Sequence, residues 1–259
     1  MSFKIAFFDI DNTIYDGFNR RFSDGVVTAL KKAQSKGLKI CLCTSRPNDS
    51  IEKLGCFKLG IKWDAVIGSS GGTVKIGDKY IKSSTIDEDL SKRFFDYLIQ
   101  KNISFEMIGL ETRWICGGFN DCANQFYSFF EDFAPEATKT HKEQLTQFHL
   151  FCTSEFDEDI KATFPGLVFS RYMPFAVDIL PIVYQKGEGI DSVLEYFGYT
   201  EDEAIGFGDD LQDISISKHV REFVAMENAK DEVKAVATYI TGHCSSDGIE
   251  QALRHFRLI

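Results

Sequence analysis

The feature that most constrains the fold is a set of short apolar runs that alternate with helical segments. Residues 4–8 form a run without polar alternation, which is typical of a strand buried on both faces. A helix follows, with Ser23 suited to cap its start and Gly37 its end. Further strand-like runs at 38–43 and 65–67 flank a second helical segment at 51–59. This order predicts a doubly wound parallel sheet.

The same alternation returns near the end of the chain, whereas the middle follows another pattern. Late helices are predicted at 189–197, 213–218, 231–237 and 248–255, and late strands at 204–207, 222–226 and 239–240. Between 83 and 183, helices at 88–101, 121–131 and 155–163 accompany strands at 103–108, 112–116, 146–152, 167–171 and 175–180. Strands joined by short turns favour antiparallel pairing. We therefore predict an α/β protein, with a Rossmann-like doubly wound parallel-sheet core at 1–82 and 184–259 and an α+β cap domain inserted at 83–183.

Charge and cysteine content limit the partners and the compartment. The 39 acidic and 29 basic side chains give a net charge of -10, and such a surface repels nucleic acid and anionic membranes. The N-terminal apolar run is too short for a signal peptide and is interrupted by acidic residues. No apolar run in the sequence approaches the ~20 residues that span a bilayer. The odd number of cysteines indicates reduced thiols, and the scattered histidines argue against a zinc site. We expect a cytoplasmic protein without a nucleic-acid or membrane partner, and its oligomeric state stays open.

Acidic and hydroxyl side chains follow the strands of the predicted core. Asp9 and Asp11 come directly after the first strand, Thr44 follows the second, and Asp209 follows the strand at 204–207. Ligands of open parallel sheets bind in the crevice beyond the carboxyl ends of the strands. The sequence therefore predicts that these side chains meet in one crevice.

Carboxylates gathered at one sheet edge need positive charge nearby. A lone Asp-x-Asp at the mouth of a sheet is often merely solvated, but Asp209 and Asp213 would join Asp9 and Asp11 there. These acids repel one another, and Mg²⁺ would relieve the repulsion while leaving a position for a phosphate oxygen. Lys186 would supply a second positive charge.

Four short motifs carry a resemblance to a known superfamily. In chain order they are Asp9-Ile-Asp11-Asn-Thr13, Thr44-Ser45-Arg46, Lys186-Gly187 and Gly208-Asp209-Asp210-Leu-Gln212-Asp213. This set resembles the haloacid-dehalogenase-like (HAD) phosphatase superfamily, and the segments 224–229 and 246–249 resemble the tail of its Cof-type subfamily. The long stretch between the second and third motifs matches the place where the Cof type carries its large α/β cap.

The resemblance implies a Mg²⁺-dependent phosphatase that hydrolyses small phosphomonoesters, with sugar phosphates the expected class, through an aspartyl-phosphate. In that mechanism Asp9 attacks phosphorus, Asp11 acts as acid and then as base, and Lys186 offsets negative charge. The implied site residues are Asp9, Asp11, Thr44 and Lys186 for catalysis; Thr44, Ser45, Arg46, Lys186, Gln212, Arg171 and Asp178 for substrate binding; and Asp9, Asp11, Asp209 and Asp213 for the metal. Asp213 could equally act behind the metal ligands, through water or a neighbouring ligand.

Several of these assignments have an alternative interpretation. Arg46 could form a salt bridge with an Asp instead of contacting substrate, and Arg171 could belong to the core of the cap. The chain also departs from the family pattern. Ser45 replaces a Gly, Gln212 replaces an Asn that touches phosphate, Ser70-Gly71-Gly72 replaces Asn-Gly-Ala, and Asn12 replaces a Gly.

Two other functions fit the same motifs. A phosphotransferase or mutase would use the same aspartyl-phosphate with another acceptor. A phospho-accepting regulatory or binding module would need the phosphorylated Asp, metal carboxylates, Thr and Lys, but no acid or base at Asp11. Asp11 therefore favours an enzyme over a binding module.

Overall fold

The computed structural model describes residues 3–130, 134–181 and 184–259. The strands are β1 (Ile5–Phe8), β2 (Tyr15–Asp16), β3 (Arg21–Phe22), β4 (Lys39–Cys43), β5 (Ala65–Gly68), β6 (Thr73–Ile76), β7 (Lys79–Ser83), β8 (Ser104–Ile108), β9 (Arg113–Cys116), β10 (Glu136–Ala137), β11 (Gln147–Phe151), β12 (Val168–Met173), β13 (Ala176–Leu180), β14 (Ala204–Gly208), β15 (Glu222–Ala225) and β16 (Tyr239–Ile240). The helices are α1 (Asp24–Ser35), α2 (Asn48–Leu54), α3 (Glu88–Gln100), α4 (Asp121–Phe130), α5 (Asp157–Thr163), α6 (Lys186–Phe197), α7 (Asp231–Val236) and α8 (Gly248–His255). Within these ranges no helix combines the length and the apolar character that crossing a bilayer requires.

The described residues form two compact units. The described residues of 1–46, 51–82 and 184–259 form the first unit, and those of 47–50 and 83–183 form the second. Residue 131, the predicted end of a helix, and residues 182–183, at the predicted domain boundary, lie outside the described residues.

The first unit contains an eight-stranded sheet in the order β16-β15-β14-β1-β4-β5-β6-β7. The six strands from β16 to β5 pair in parallel, and β6 runs antiparallel to β5. Alternate residues of β1 enter different apolar clusters: Ala6 and Phe8 pack on the side of α1 and α8, Ile5 and Phe7 on the side of α6. Burial on both faces is why this strand carries no polar residue.

The second unit contains a six-stranded sheet in the order β10-β9-β8-β11-β13-β12. Its pairs are antiparallel except for β9 and β10, which run parallel. One face packs Phe105, Phe148 and Ile179 with the side chains of α3. The predicted fold class, an α/β core with a parallel sheet and an additional α+β unit, is confirmed.

The details differ from the sequence prediction where backbone geometry, not apolar pattern, decides. The helix predicted at 51–59 is instead α2 followed by a 3₁₀ turn at Cys56–Lys58, because Gly55 adopts φ 91° between them. The helix predicted at 213–218 is a 3₁₀ segment, Leu211–Lys218. The short strands β2, β3, β6, β7 and β10 were not predicted.

Candidate active site

Asp9 occupies the end of β1, in the middle of the parallel sheet. Its amide donates to the carbonyl of Phe207 in β14 at 3.1 Å, and its side chain is buried. The chain then turns around the carbonyl of Ile10, which accepts from the amides of Thr13, Ile14 and Tyr15 at 3.2, 3.1 and 2.8 Å. This turn needs a left-handed residue, and Asn12, with φ 56°, supplies it.

Thr44 follows β4 and is fully buried. Its amide donates to the carbonyl of Ile67 in β5 at 2.9 Å, and its hydroxyl accepts from the amide of Arg46 at 3.2 Å. Ser45 is exposed, and its backbone does not adopt a positive φ. The replacement of the family's Gly by Ser45 is therefore free of backbone strain.

Lys186 is the first residue of α6 and is almost completely buried. Its Nζ donates to Asp9 Oδ1 and to Asp213 Oδ1, both at 2.6 Å. Burial lowers the pKa of the ammonium group, but the charges of Asp213 and Asp9 outweigh it and raise the pKa above its usual value. Lys186 is therefore charged in this site.

Asp213 connects Lys186 to the loop after β14. Its Oδ2 accepts from the amides of Asp209 and Asp210 at 2.9 and 3.0 Å, so its carboxylate fixes the start of the 3₁₀ segment. Gly208 makes this possible, because a Cβ at that position would overlap the Asp213 side chain. Asp213 thus serves the site mainly by holding its neighbours.

Three carboxylates come together within the described residues. One oxygen each of Asp9, Asp209 and Asp213 lies within 4.8 Å of the other two. Burial, then the charge of Asp213, raises the pKa of Asp209 to about 7. Burial also raises the pKa of Asp9 well above its usual value, although Lys186 opposes it. Hard oxygen donors that repel one another in a buried pocket are the donor set that fits Mg²⁺.

Asp11 lies outside this acidic group. Arg46 Nε donates to Asp11 Oδ2 and Arg46 Nη2 to Asp11 Oδ1, both at 2.7 Å, in a bidentate pair. The Asp11 side chain is 40% exposed, which leaves it open to solvent and to a ligand. Of the two alternatives for Arg46, the structure shows the salt bridge.

Two residues close to the site were named in motifs but given no role. The Thr13 hydroxyl donates to Asp209 Oδ1 at 3.2 Å and is completely buried. Ser70 Oγ donates to Gln212 Oε1 at 2.8 Å, so two departures from the family pattern contact each other. Such long-range partners carry no signal in a single sequence beyond their place in the motifs.

Arg171 and Asp178 lie in the second unit, each in a polar contact of that unit. Arg171 Nε and Nη2 donate to Asp157 at 2.8 and 2.5 Å, and its other donors reach carbonyl oxygens, including that of Cys152 at 3.0 Å. The Arg171 guanidinium is therefore paired within the second unit, as expected for the alternative in which it belongs to the core of the cap. Asp178 Oδ1 lies 3.9 Å from His149 Nε2, and burial raises the Asp178 pKa against the opposing charge of His149.

Comparison with known proteins identifies the family of the chain. The family model described as haloacid dehalogenase-like hydrolase matches residues 6–253. The chain is 28% identical to the HAD subclass IIB sugar phosphatase BT4131, whose solved structure matches with a TM-score of 0.81 over 99% of this chain and 100% of that one. It is 25% identical to a phosphoglycolate phosphatase of Methanospirillum hungatei JF-1, over 96% of this chain and 94% of the relative.

A third relative has a larger named substrate. The 5-amino-6-(5-phospho-D-ribitylamino)uracil phosphatase YwtE of Bacillus subtilis (strain 168) is 24% identical, over 85% of this chain and 87% of its own length. The predicted enzyme class, a phosphatase of this superfamily, is confirmed by these matches. The chain belongs to the haloacid dehalogenase-like hydrolase family.

Proposed function

We propose that the chain is a Mg²⁺-dependent phosphatase that hydrolyses small phosphomonoesters, sugar phosphates in particular, through an aspartyl-phosphate on Asp9. The observation that carries the proposal is the buried ammonium group of Lys186, 2.6 Å from both Asp9 and Asp213. A carboxylate nucleophile cannot approach an anionic phosphate ester without such positive charge. The relatives named as phosphatases support the same reaction class.

Asp9 is the proposed nucleophile. Its carboxylate forms a bond to phosphorus while the ester bond to the leaving oxygen breaks, which divides hydrolysis into two easier steps. Lys186, bound to Asp9 Oδ1, opposes the effect of burial on the Asp9 pKa and offsets charge on the transferring group. The buried Thr44 hydroxyl binds a phosphoryl oxygen. The hydrogen bond from the Thr44 amide to the carbonyl of Ile67 fixes the position of Thr44.

Asp11 is the proposed acid and base. It protonates the leaving oxygen in the first step and accepts a proton from the attacking water in the second. Both carboxyl oxygens of Asp11 accept hydrogen bonds from Arg46 in this structure, so Asp11 must be released from the guanidinium before it can donate a proton to the leaving oxygen. Arg46 thus sets the orientation of Asp11 between reactions.

Asp9, Asp209 and the backbone carbonyl of Asp11 are the groups proposed to hold Mg²⁺, with Asp213 behind them. The fit rests on the buried carboxylates of Asp9, Asp209 and Asp213, one oxygen of each lying within 4.8 Å of the other two, and burial raises the pKa of both Asp9 and Asp209. When bound, Mg²⁺ supplies Lewis-acid neutralisation of the phosphate oxygens. Asp213 already accepts from Lys186 and two amides, which leaves it little capacity as a direct ligand.

We further propose the domain division 1–82 and 184–259 for catalysis and 83–183 for substrate selection, with a phosphorylated metabolite as partner. Ser45, Gln212 and Asp178 are the proposed additional substrate contacts. Gln212 is exposed and held by Ser70, which supports a role at the entrance to the phosphate position. A cytoplasmic location accords with the unpaired cysteines and with phosphorylated metabolites as substrates.

The test is phosphate release from an aryl phosphate and from a panel of sugar phosphates, with Mg²⁺ and with EDTA. We expect turnover with Mg²⁺ alone, none in Asp9→Asn, and slower formation and breakdown of the phosphoenzyme in Asp11→Asn. Asp78→Asn, an exposed acid between β6 and β7, is the matched control. Parental turnover in Asp11→Asn would refute the acid and base assignment, and transfer to an added alcohol in place of water would favour a phosphotransferase.

A further inference from the structure

Two elements of the first unit carry opposite charges of the proposed site. α6 begins with Lys186, and the 3₁₀ segment Leu211–Lys218 carries Asp213. Their side chains meet at 2.6 Å and both are buried, so protein packing sets the position of the ammonium group. Whatever holds these two elements together therefore determines where Lys186 lies relative to Asp9.

The backbone is tightly packed on both sides of Lys186. Before it, a Cβ on Gly71 would overlap the carbonyl oxygen of Gln185. After it, a Cβ on Gly187 would lie 2.5 Å from His219 Nε2 and 2.8 Å from the Ser215 carbonyl oxygen. The space that a Cβ would need at either glycine is thus already filled, and the start of α6 packs directly against these groups, which leaves it little freedom to shift while the ring stays in place.

The imidazole of His219 contacts α6 not only at Gly187 but also at Asp191. His219 Nδ1 lies 2.7 Å from Asp191 Oδ1, and Asp191 is four residues after Gly187, so both lie on one face of α6. The amide of Gly187 also donates to Ser215 Oγ at 3.4 Å. The ring therefore lies along the first turn of α6, in contact with Gly187 and bonded to Asp191.

Neither His219 nor Asp191 takes part in the proposed chemistry. The side chain of Asp191 is 59% exposed and that of His219 is 23% exposed, and a polar contact so near solvent adds little to stability. Their location is what distinguishes them. The His219 ring packs against Gly187, and Gly187 is joined directly to Lys186, which carries the ammonium group of the proposed site. A shift of the ring is thus transmitted to Lys186 without an intervening flexible segment.

We propose that His219, held by Asp191, is a positioning residue that sets the distance between Lys186 Nζ and Asp9. The inference rests on the proposed function, in which that ammonium group offsets charge on the nucleophile and the phosphate. Loss of the ring leaves a space beside Gly187 into which the start of α6 relaxes. Because Lys186 acts in the transition state, the consequence is a lower kcat with little change in KM.

The experiment compares four variants in the full chain with Mg²⁺ and an aryl phosphate. We expect His219→Ala to lower kcat about tenfold and to change KM by less than about twofold, as a small misplacement of a catalytic group does. His219→Asn keeps a donor near the Nδ1 position for Asp191 and recovers most of kcat. Asp191→Ala gives a smaller loss in the same direction. His255→Ala, which removes an exposed imidazole stacked on Tyr239, is the control and keeps the parental kcat.

A crystal structure of His219→Ala provides a readout independent of turnover. We expect the distance from Lys186 Nζ to Asp9 Oδ1 to exceed the parental 2.6 Å. An unchanged distance, a parental kcat, or equal losses in His219→Ala and His219→Asn would overturn the positioning role. An inactive parent would contradict the proposed function instead, while the crystallographic distance would still decide this inference.

Discussion

Gly208→Ala tests how closely the end of β14 and Asp213 are packed. A Cβ at residue 208 would overlap the Cβ, Cγ and Oδ2 atoms of Asp213, which is fully buried. The backbone of Gly208 needs no left-handed conformation, so the whole effect arises from this overlap. Relief requires a displacement of Asp213 on the order of 1 Å, because carbon atoms pack no closer than about 3.5 Å.

The displacement has consequences for both stability and activity. Overpacking of this kind costs about 1–3 kcal/mol, which lowers the melting temperature of a chain of this size by roughly 2–4 °C per kcal/mol. Asp213 also holds Lys186 and the amides of Asp209 and Asp210, so these bonds lengthen or break. We expect kcat to fall about a hundredfold.

Thermal unfolding and steady-state hydrolysis of an aryl phosphate measure the two effects. The matched control is Gly166→Ala, where the new Cβ would meet only Leu90 Cδ2 at 3.9 Å, an ordinary contact. Equal melting temperatures and equal kcat values in Gly208→Ala and Gly166→Ala would refute the close packing of Asp213 against Gly208. A large loss of kcat without destabilisation would show that Asp213 moves freely and that the packing argument is wrong.

Two further predictions concern ionisable groups. Burial, then the Asp213 charge, raises the Asp209 pKa from 3.8 to about 7, so the metal-free fold loses stability as pH rises from 3.8 to about 7 and has lost this contribution above that range. Asp209→Asn should therefore have a higher melting temperature than the parent in EDTA at pH 8, and Mg²⁺ should not raise it further. A lower melting temperature than the parent in EDTA would contradict this. Burial favours a raised Glu106 pKa, but His149 and Arg113 lower it below 4.5, so its stabilisation is complete above pH 4.5 and lost on acidification. Denaturant unfolding should show that the free energy of unfolding falls less steeply below pH 4.5 in Glu106→Gln than in the parent. Parallel plots of this free energy against pH would exclude a contribution from Glu106.

The strands of the core could be predicted because burial on both faces leaves a direct trace in the sequence. Residues 5–8 and 204–208 contain only apolar residues and glycine, and both pair in parallel at the centre of the sheet. The short strands β6 and β7 lack that trace, because their side chains are partly exposed. A half-exposed hairpin is specified by its turn and its neighbours more than by its apolar pattern.

The ionic contacts of the site could be predicted from motif order only in part. Asp9, Asp209, Asp213 and Lys186 were placed together because parallel strands deliver their ends to one edge. The pairing of Arg46 with Asp11 stayed open, because a guanidinium that reaches a carboxylate can equally reach a phosphate. The contact of His219 with Gly187 left no signal, since it depends on the approach of two elements distant in sequence.

The site concentrates unfavourable features that the rest of the unit must offset. Asn12, Ser69 and Ser70 all adopt positive φ in or next to the loops of the candidate site, and Asp9 and Asp209 are buried acids with raised pKa. Strain of this kind persists only where the surrounding structure over-determines it. The apolar clusters on both faces of the sheet supply that constraint, because they immobilise the strands from which each loop starts. The faces of the sheet therefore provide the stability, and the strand ends carry the groups proposed to react. This is why removing an acid is expected to stabilise the fold while abolishing turnover.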